Sequence, residues 1–92
     1  MKKLYKYEQS FGRMGHLSGV FLLDKETLDK GMGHEVYMGE ILGKHSEVVA
    51  LINKNTLKEL TDDQDFIDKC IKYKIVPNGT NPFDYIPTDI VD

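Results

Sequence analysis

The stretch from His34 to Ile52, reading HEVYMGEILGKHSEVVALI, constrains the fold more than any other part of the chain. One phase of its first run carries Val36, Met38, Glu40 and Leu42, and the other carries Tyr37, Gly39 and Ile41. After a polar break, Val48, Ala50 and Ile52 alternate with Val49 and Leu51. Both phases are largely apolar in both runs. A strand pair with one wet face alternates apolar and polar residues. This hairpin is therefore expected to have both faces covered, one by a helix and one by a second sheet layer or another subunit. Its turn reads as Gly43-Lys44-His45-Ser46, polar and short.

Upstream, KKLYKYEQSFGR sets Tyr5, Tyr7 and Phe11 on one phase and Leu4 on the other, which predicts a strand. LSGVFLL over 17–23 predicts a second strand, joined to the first through Met14-Gly15-His16 as a hairpin. Asp24 is placed to cap a short helix through DKETLDK, with Gly31 as its terminator. A further strand is expected through Thr56–Leu60.

Thr61-Asp62-Asp63-Gln64 has the form of a capping box, with Thr61 at the cap and Gln64 reaching back. The helix that follows, Asp62–Lys74, carries Phe66, Ile67, Cys70 and Ile71 at helical spacing and should end before Pro77 and an Asn78-Gly79 turn. The segment TNPFDYIPTDIVD reads as extended chain docked through Phe83–Ile86, with a flexible tail over 87–92. The expected architecture is a single α+β domain over 1–86: an antiparallel sheet of four to five strands with two helices, rich in hairpins.

Composition narrows the function classes. At 92 residues the chain supports one core. A single alanine argues against a helix bundle. No run approaches the ~18 apolar residues of a membrane span, and the opening MKKLYKYEQSF does not form the apolar stretch of a signal peptide. One cysteine, Cys70, excludes a disulfide framework and fits a reducing, cytoplasmic setting. Net charge is −3, divided as +1 over residues 1–60 and −4 over 61–92. With a pI of about 5.5, the chain lacks the basic stripe of a nucleic-acid binder.

Motifs that carry chemistry were tested against their spacing. Gly39-Glu40-Ile41-Leu42-Gly43-Lys44 is one residue too short between its glycines for a phosphate-binding P-loop, and His45 stands where Ser or Thr should hold magnesium. Gly12-Arg13-Met14-Gly15 has the GxxG spacing of a KH loop but lies between strands where that module requires helices. The histidines His16, His34 and His45 show no metal-ligand spacing, so neither a metal nor a cofactor is expected. Cys70 belongs to an apolar helix face and reads as core. Ser46 beside His45 makes a poor dyad, because adjacent residues of an extended chain point apart.

What remains is a cluster set by topology. Arg13 and His16 occupy the first turn region; Lys44, His45, Ser46 and Glu47 occupy the second. Gly12, Gly15, Gly19, Gly39 and Gly43 flank them and permit close backbone approach. If both hairpin ends share one side of the sheet, these residues converge on an anionic ligand, with arginine forking to carboxylate or phosphate.

The run Val36–Val48, with GEILGKHSEV at its centre, resembles a segment of small uncharacterised proteins of bacteriophage and bacterial accessory-gene type. Gly12-Arg13-Met14-Gly15 ahead of a Leu/Gly/Phe strand, and Asn81-Pro82-Phe83-Asp84-Tyr85, are similar too. The resemblance brings no assigned activity. It implies a cytoplasmic accessory protein that acts by binding, and the nearest functional class is small phage proteins that neutralise host defences, some by sequestering nucleotide signals.

The leading expectation is thus a non-enzymatic binder of a small anionic, nucleotide-like ligand, self-associating through its two-faced hairpin. The alternative is an inhibitor that sets Asp62, Asp63, Asp65 and Asp68 against a basic protein surface. A third is a small hydrolase using His45 with Glu47 or Glu40.

Overall fold

The computed structural model describes residues 1–45 and 47–86. The chain runs β1 (Lys2–Ser10), β2 (His16–Asp24), α1 (Lys25–Gly31), β3 (Glu35–Gly39), β4 (Val48–Leu51), β5 (Leu57–Thr61), α2 (Gln64–Lys72) and β6 (Asn78–Gly79), with 3₁₀ turns at Gly12–Met14 and Pro82–Tyr85. The α+β class, the two helices and the hairpins stand as the sequence implies. The strands divide over two sheets: one of four, ordered β5-β1-β2-β6, and one of two, β3-β4.

The first hairpin is long and regular, pairing Lys2 with Asp24 and Ser10 with His16. Its period of two sorts residues cleanly. Tyr5, Tyr7, Leu17, Phe21 and Leu23 point to one face, where they meet Val36, Met38, Val48, Ala50 and Ile52 of the small sheet in the main core. Leu4 points to the other face and packs with Ile67, Cys70 and Val76, with Val20 and Leu22 at the margin. The molecule therefore has three layers: the β3–β4 hairpin, the four-stranded sheet, and α2.

This arrangement corrects the expectation for the His34–Ile52 stretch. Val36, Met38, Val48 and Ala50 are buried, whereas Tyr37 is 60%, Val49 42% and Leu51 41% exposed. The second face is left open within the chain. The hairpin is also shorter than its apolar pattern suggests, because the register shifts between Tyr37 and Gly39 and Gly39 turns the chain at φ 67. Glu40, Ile41 and Leu42 leave the strand, and the described residues between β3 and β4, 40–45 and 47, lie in no strand.

Other local expectations shift for identifiable reasons. Asp24 caps α1 by accepting the Thr27 N–H at 2.7 Å, as its position predicts. Gly31 does not terminate the helix in a left-handed conformation; it is the buried last residue of α1, packed under the Phe83 ring. The cap of α2 is Asp63, whose carboxylate accepts from Asp65 N and Phe66 N, while Gln64 reaches back to the carbonyls of Asp62 and Lys2. Only Ile67 and Cys70 of the apolar stripe are buried; Phe66 and Ile71 flank them and are about half exposed. Asn78-Gly79 is not a free turn but the short strand β6, pairing with Val20 and Gly19 of β2. The segment after it docks through Phe83 as expected, but as a 3₁₀ turn capped by Asn81 and not as extended chain. The expected flexible tail over 87–92 lies outside the described residues.

Candidate functional site

The two glycine-bearing loops lie at the same end of the molecule. The first, 11–15, closes through Phe11 N–H to the Gly15 carbonyl and Gly15 N–H to the Gly12 carbonyl. Gly12 and Gly15 hold φ of 63 and 117, values that a side chain disfavours. The second, 40–47, turns on Gly43 N–H to the Glu40 carbonyl. Leu42 joins them: its Cδ2 stands 3.7 Å from where a Cβ on Gly15 would lie, and Phe11 and Leu42 both pack on the margin of the main core. Two apolar anchors thus press the loops together and leave their polar residues outward.

Arg13 lies within the first 3₁₀ turn and is exposed. His16 is not a turn residue; it opens β2 opposite Ser10, because the connection is completed by residues 11–15. Lys44, His45 and Glu47 are exposed, and Ser46 lies outside the described residues. The second connection is longer than the Gly43–Ser46 turn read from the sequence. No hydrogen bond or ion pair links Arg13, His16, Lys44, His45 and Glu47 to one another among the described residues.

The carboxylates of this region are engaged locally. Glu40 Oε2 accepts the backbone N–H of His45 at 2.8 Å and holds that residue at φ 69. The charge of Glu47 lies beside the Tyr37 hydroxyl and, with some desolvation and Glu40 further off, raises the pKa of that phenol. Arg13 and Lys44 take no carboxylate partner among the described residues. The loops therefore offer two uncommitted cations beside acids already occupied. Neither acid hydrogen-bonds the His45 imidazole among the described residues, which leaves the hydrolase reading without an oriented acid–base pair.

The acidic helix presents a different picture from its sequence. Asp63 is consumed by capping. Asp65 and Asp68 share the exposed side of α2 with Lys69 and Lys72, which stand four residues on from each, although no ion pair joins them among the described residues. No uniformly acidic face results. Among the described residues, no three His, Cys, Asp or Glu side chains group as metal ligands, and no helix is long and apolar enough to cross a membrane.

A concavity lies elsewhere. A groove of about 400 Å³ is lined by Lys30, His34, Glu35, Val36, Tyr37, Tyr85 and Ile86. The sequence reading did not single it out, because its walls come from α1, β3 and the end of the last 3₁₀ turn, and Lys30 and Ile86 are more than half of the chain apart. Consecutive residues of β3 line it, a pattern that periodicity does not mark as a site.

No protein-family model matches the chain, and no match was found among curated proteins or solved structures. The fold and its surfaces are the basis for a functional reading.

Proposed function

We propose that this protein is a non-enzymatic binding module that recognises a small anionic ligand, of phosphate-bearing, nucleotide-like chemistry, through the loops 11–15 and 40–47. The observation that carries this reading is the seating of Leu42 against Gly15, which sets the loop bearing Arg13 beside the loop bearing Lys44 and His45. Arginine supplies a planar fork and lysine a point charge, a combination suited to phosphate oxygens. Nothing stands within 4 Å of where a Cβ would lie on Gly12 or Gly43, so an anion can come close to the backbone at both positions. Binding sites concentrate on loops held by a rigid scaffold, and both loops are anchored to the core.

The test is a thermal-shift panel of linear and cyclic nucleotides on the purified protein. At least one member should raise the melting temperature, and Arg13→Ala with Lys44→Ala should remove that rise without lowering the unliganded melting temperature. A wild-type protein shifted by no member of the panel contradicts the reading.

Self-association belongs to the same proposal. The open face carrying Tyr37, Val49 and Leu51 is where a second copy would seat. Native mass spectrometry reports it: a dimer that Val49→Lys returns to monomer supports the seat, and a monomer at micromolar protein opposes it.

A further inference from the structure

The pair Asn78-Gly79 joins a residue that the fold fixes to one that it leaves free. Gly79 sits at φ 79, and a Cβ there would run into the Ser18 carbonyl oxygen, so glycine is the residue that fits. Asn78 is exposed, and its side chain makes no hydrogen bond among the described residues, unlike those of Asn53 and Asn81. An asparagine followed by glycine carries a chemistry of its own, because the next backbone nitrogen can attack the side-chain amide carbon without a Cβ to hinder it.

The pairing of β2 shows where the Gly79 nitrogen points. Gly19 faces Gly79, Val20 faces Asn78, and the Thr80 N–H donates to the Ser18 carbonyl at 2.9 Å. Bonded and non-bonded couples alternate along an antiparallel ladder, so Val20 and Asn78 exchange both bonds and Gly19 and Gly79 exchange none. The other side of β2 agrees. Phe11 N–H bonds the Gly15 carbonyl, which sets Tyr7–Gly19 and Tyr5–Phe21 in the bonded phase and turns the Val20 N–H towards β6. The Asn78 carbonyl therefore faces β2, and the Gly79 N–H, across the same trans peptide, points away. Since β6 is the edge of its sheet, that N–H lies on the open side, with no acceptor among the described residues.

The other asparagines lack this combination. Asn53 Oδ1 accepts the N–H groups of Asn55 and Thr56. The nitrogen that follows Asn55 belongs to Thr56 and is bonded to Asn53. Asn81 precedes Pro82, which has no N–H, and its Oδ1 accepts from Phe83 at 2.9 Å. We propose that Asn78-Gly79 is a self-modifying site, where Asn78 converts to aspartate or isoaspartate by deamidation, with water as the co-reactant.

Gly79 N gives up its proton and bonds to Asn78 Cγ; the Cγ–Nδ2 bond breaks, and ammonia leaves carrying that proton. The five-membered imide then takes up water at one of its two carbonyls. Opening at Cγ gives aspartate. Opening at the former main-chain carbonyl gives isoaspartate, whose main chain runs through Cβ and Cγ. Each product gains a carboxylate, and no electrons are transferred. Ring closure requires Asn78 to leave its extended conformation, so it starts from β6 unpaired from β2. That strand is two residues long and exposed at a sheet edge, where local opening costs least. In the isoaspartate form the carbonyl that met Val20 is a free carboxylate, and the chain to Thr80 is one methylene longer. The ladder then cannot re-form in register, and the opening of β6 becomes permanent. Neither loop 11–15 nor loop 40–47 takes part, so the test is independent of the anion-binding reading.

The experiment incubates the whole folded chain at mildly alkaline pH and samples it over weeks by peptide mass mapping, with electron-transfer fragmentation to tell isoaspartate from aspartate. The peptide holding Asn78 should gain one mass unit several-fold faster than any holding Asn53, Asn55 or Asn81, with isoaspartate the larger product. Asn78→Gln should abolish the gain, because its ring would need six members, and should keep the melting temperature. In the isoaspartate form, separated by ion exchange, the Val20 and Thr80 amides should lose protection from hydrogen exchange while those of Tyr5 and Phe21 keep theirs. Asn78→Asp, which adds the same charge on an unaltered main chain, should retain protection at all four. Reaction at Asn78 only after urea unfolds the chain, an equal rate at another asparagine, or an isoaspartate form with Val20 and Thr80 still protected would each overturn the inference.

Discussion

Gln9 and Leu51 join the two sheets: the side-chain Oε1 of Gln9, on β1, accepts the backbone N–H of Leu51, on β4, at 2.9 Å. The same oxygen accepts the hydroxyl of Tyr7, also at 2.9 Å, so one amide oxygen satisfies a strand N–H and a phenol whose residue is fully buried. Removing it strands both donors. Gln9→Ala is expected to cost about 1–3 kcal/mol, more than Tyr7→Phe at roughly 0.5–1.5 kcal/mol. In the double variant the penalties should fall short of their sum, because Tyr7→Phe removes one of the stranded donors. Urea unfolding of the single and double variants checks this.

Gly31 is small for a reason of packing. A Cβ there would stand 2.8 Å from Phe83 Cδ2 and 3.0 Å from Ile86 Cδ1, closer than a relaxed core permits. Gly31→Ala should destabilise by about 1–3 kcal/mol, despite alanine being the better helix former. Phe83→Leu placed on the Gly31→Ala background should recover part of that loss. A Gly31→Ala protein as stable as the wild type would show that the last 3₁₀ turn yields freely.

The helix cap separates two readings of one tetrapeptide. Asp63 accepts two N–H groups of α2, while the Thr61 hydroxyl accepts only the Asp63 N–H, at 3.1 Å. Asp63→Ala should cost about 1 kcal/mol and Asp63→Asn much less. Thr61→Ala should be the milder alanine change, a ranking opposite to that of a threonine-capped helix. Denaturant midpoints of the three variants give the order.

Alkaline pH should expose Tyr7. Burial pushes its phenol from 10.0 up to about 12. A group whose pKa is raised by folding contributes stability fully present below the unfolded value and lost as pH rises through the folded one. Stability should therefore decline from about pH 10 towards pH 12, with the phenolate absorbance appearing late. Tyr7→Phe should flatten that decline at a modest cost near neutrality.

Much of the fold was legible, and the failures share a cause. Alternation within β1 and β2 and the cap at Asp24 are local properties, and the structure keeps them. The His34–Ile52 pattern identified the right strands but overstated their length, because a glycine at position 39 turns the chain before its apolar run ends. Tyr37, Val49 and Leu51 look like core in the sequence and are open in the fold, since hydrophobicity does not state which layer will cover it. The candidate loops were found through their glycines and polar residues, whereas the contact that makes them neighbours, Leu42 on Gly15, is invisible to spacing. The groove beside β3 was missed entirely, because its walls come from α1, β3 and the last 3₁₀ turn, far apart in the chain.

On the proposed function, loops 11–15 and 40–47 act as one anion-binding surface. It is tested most directly by following the amide resonances of Gly12–Gly15 and Gly43–His45 while titrating the nucleotide that gives the largest thermal shift. Both sets should move along one curve with a single Kd, and Arg13→Ala should weaken the response of the Lys44 loop as well as its own. Movement of one loop alone, or two curves with different Kd values, would contradict it.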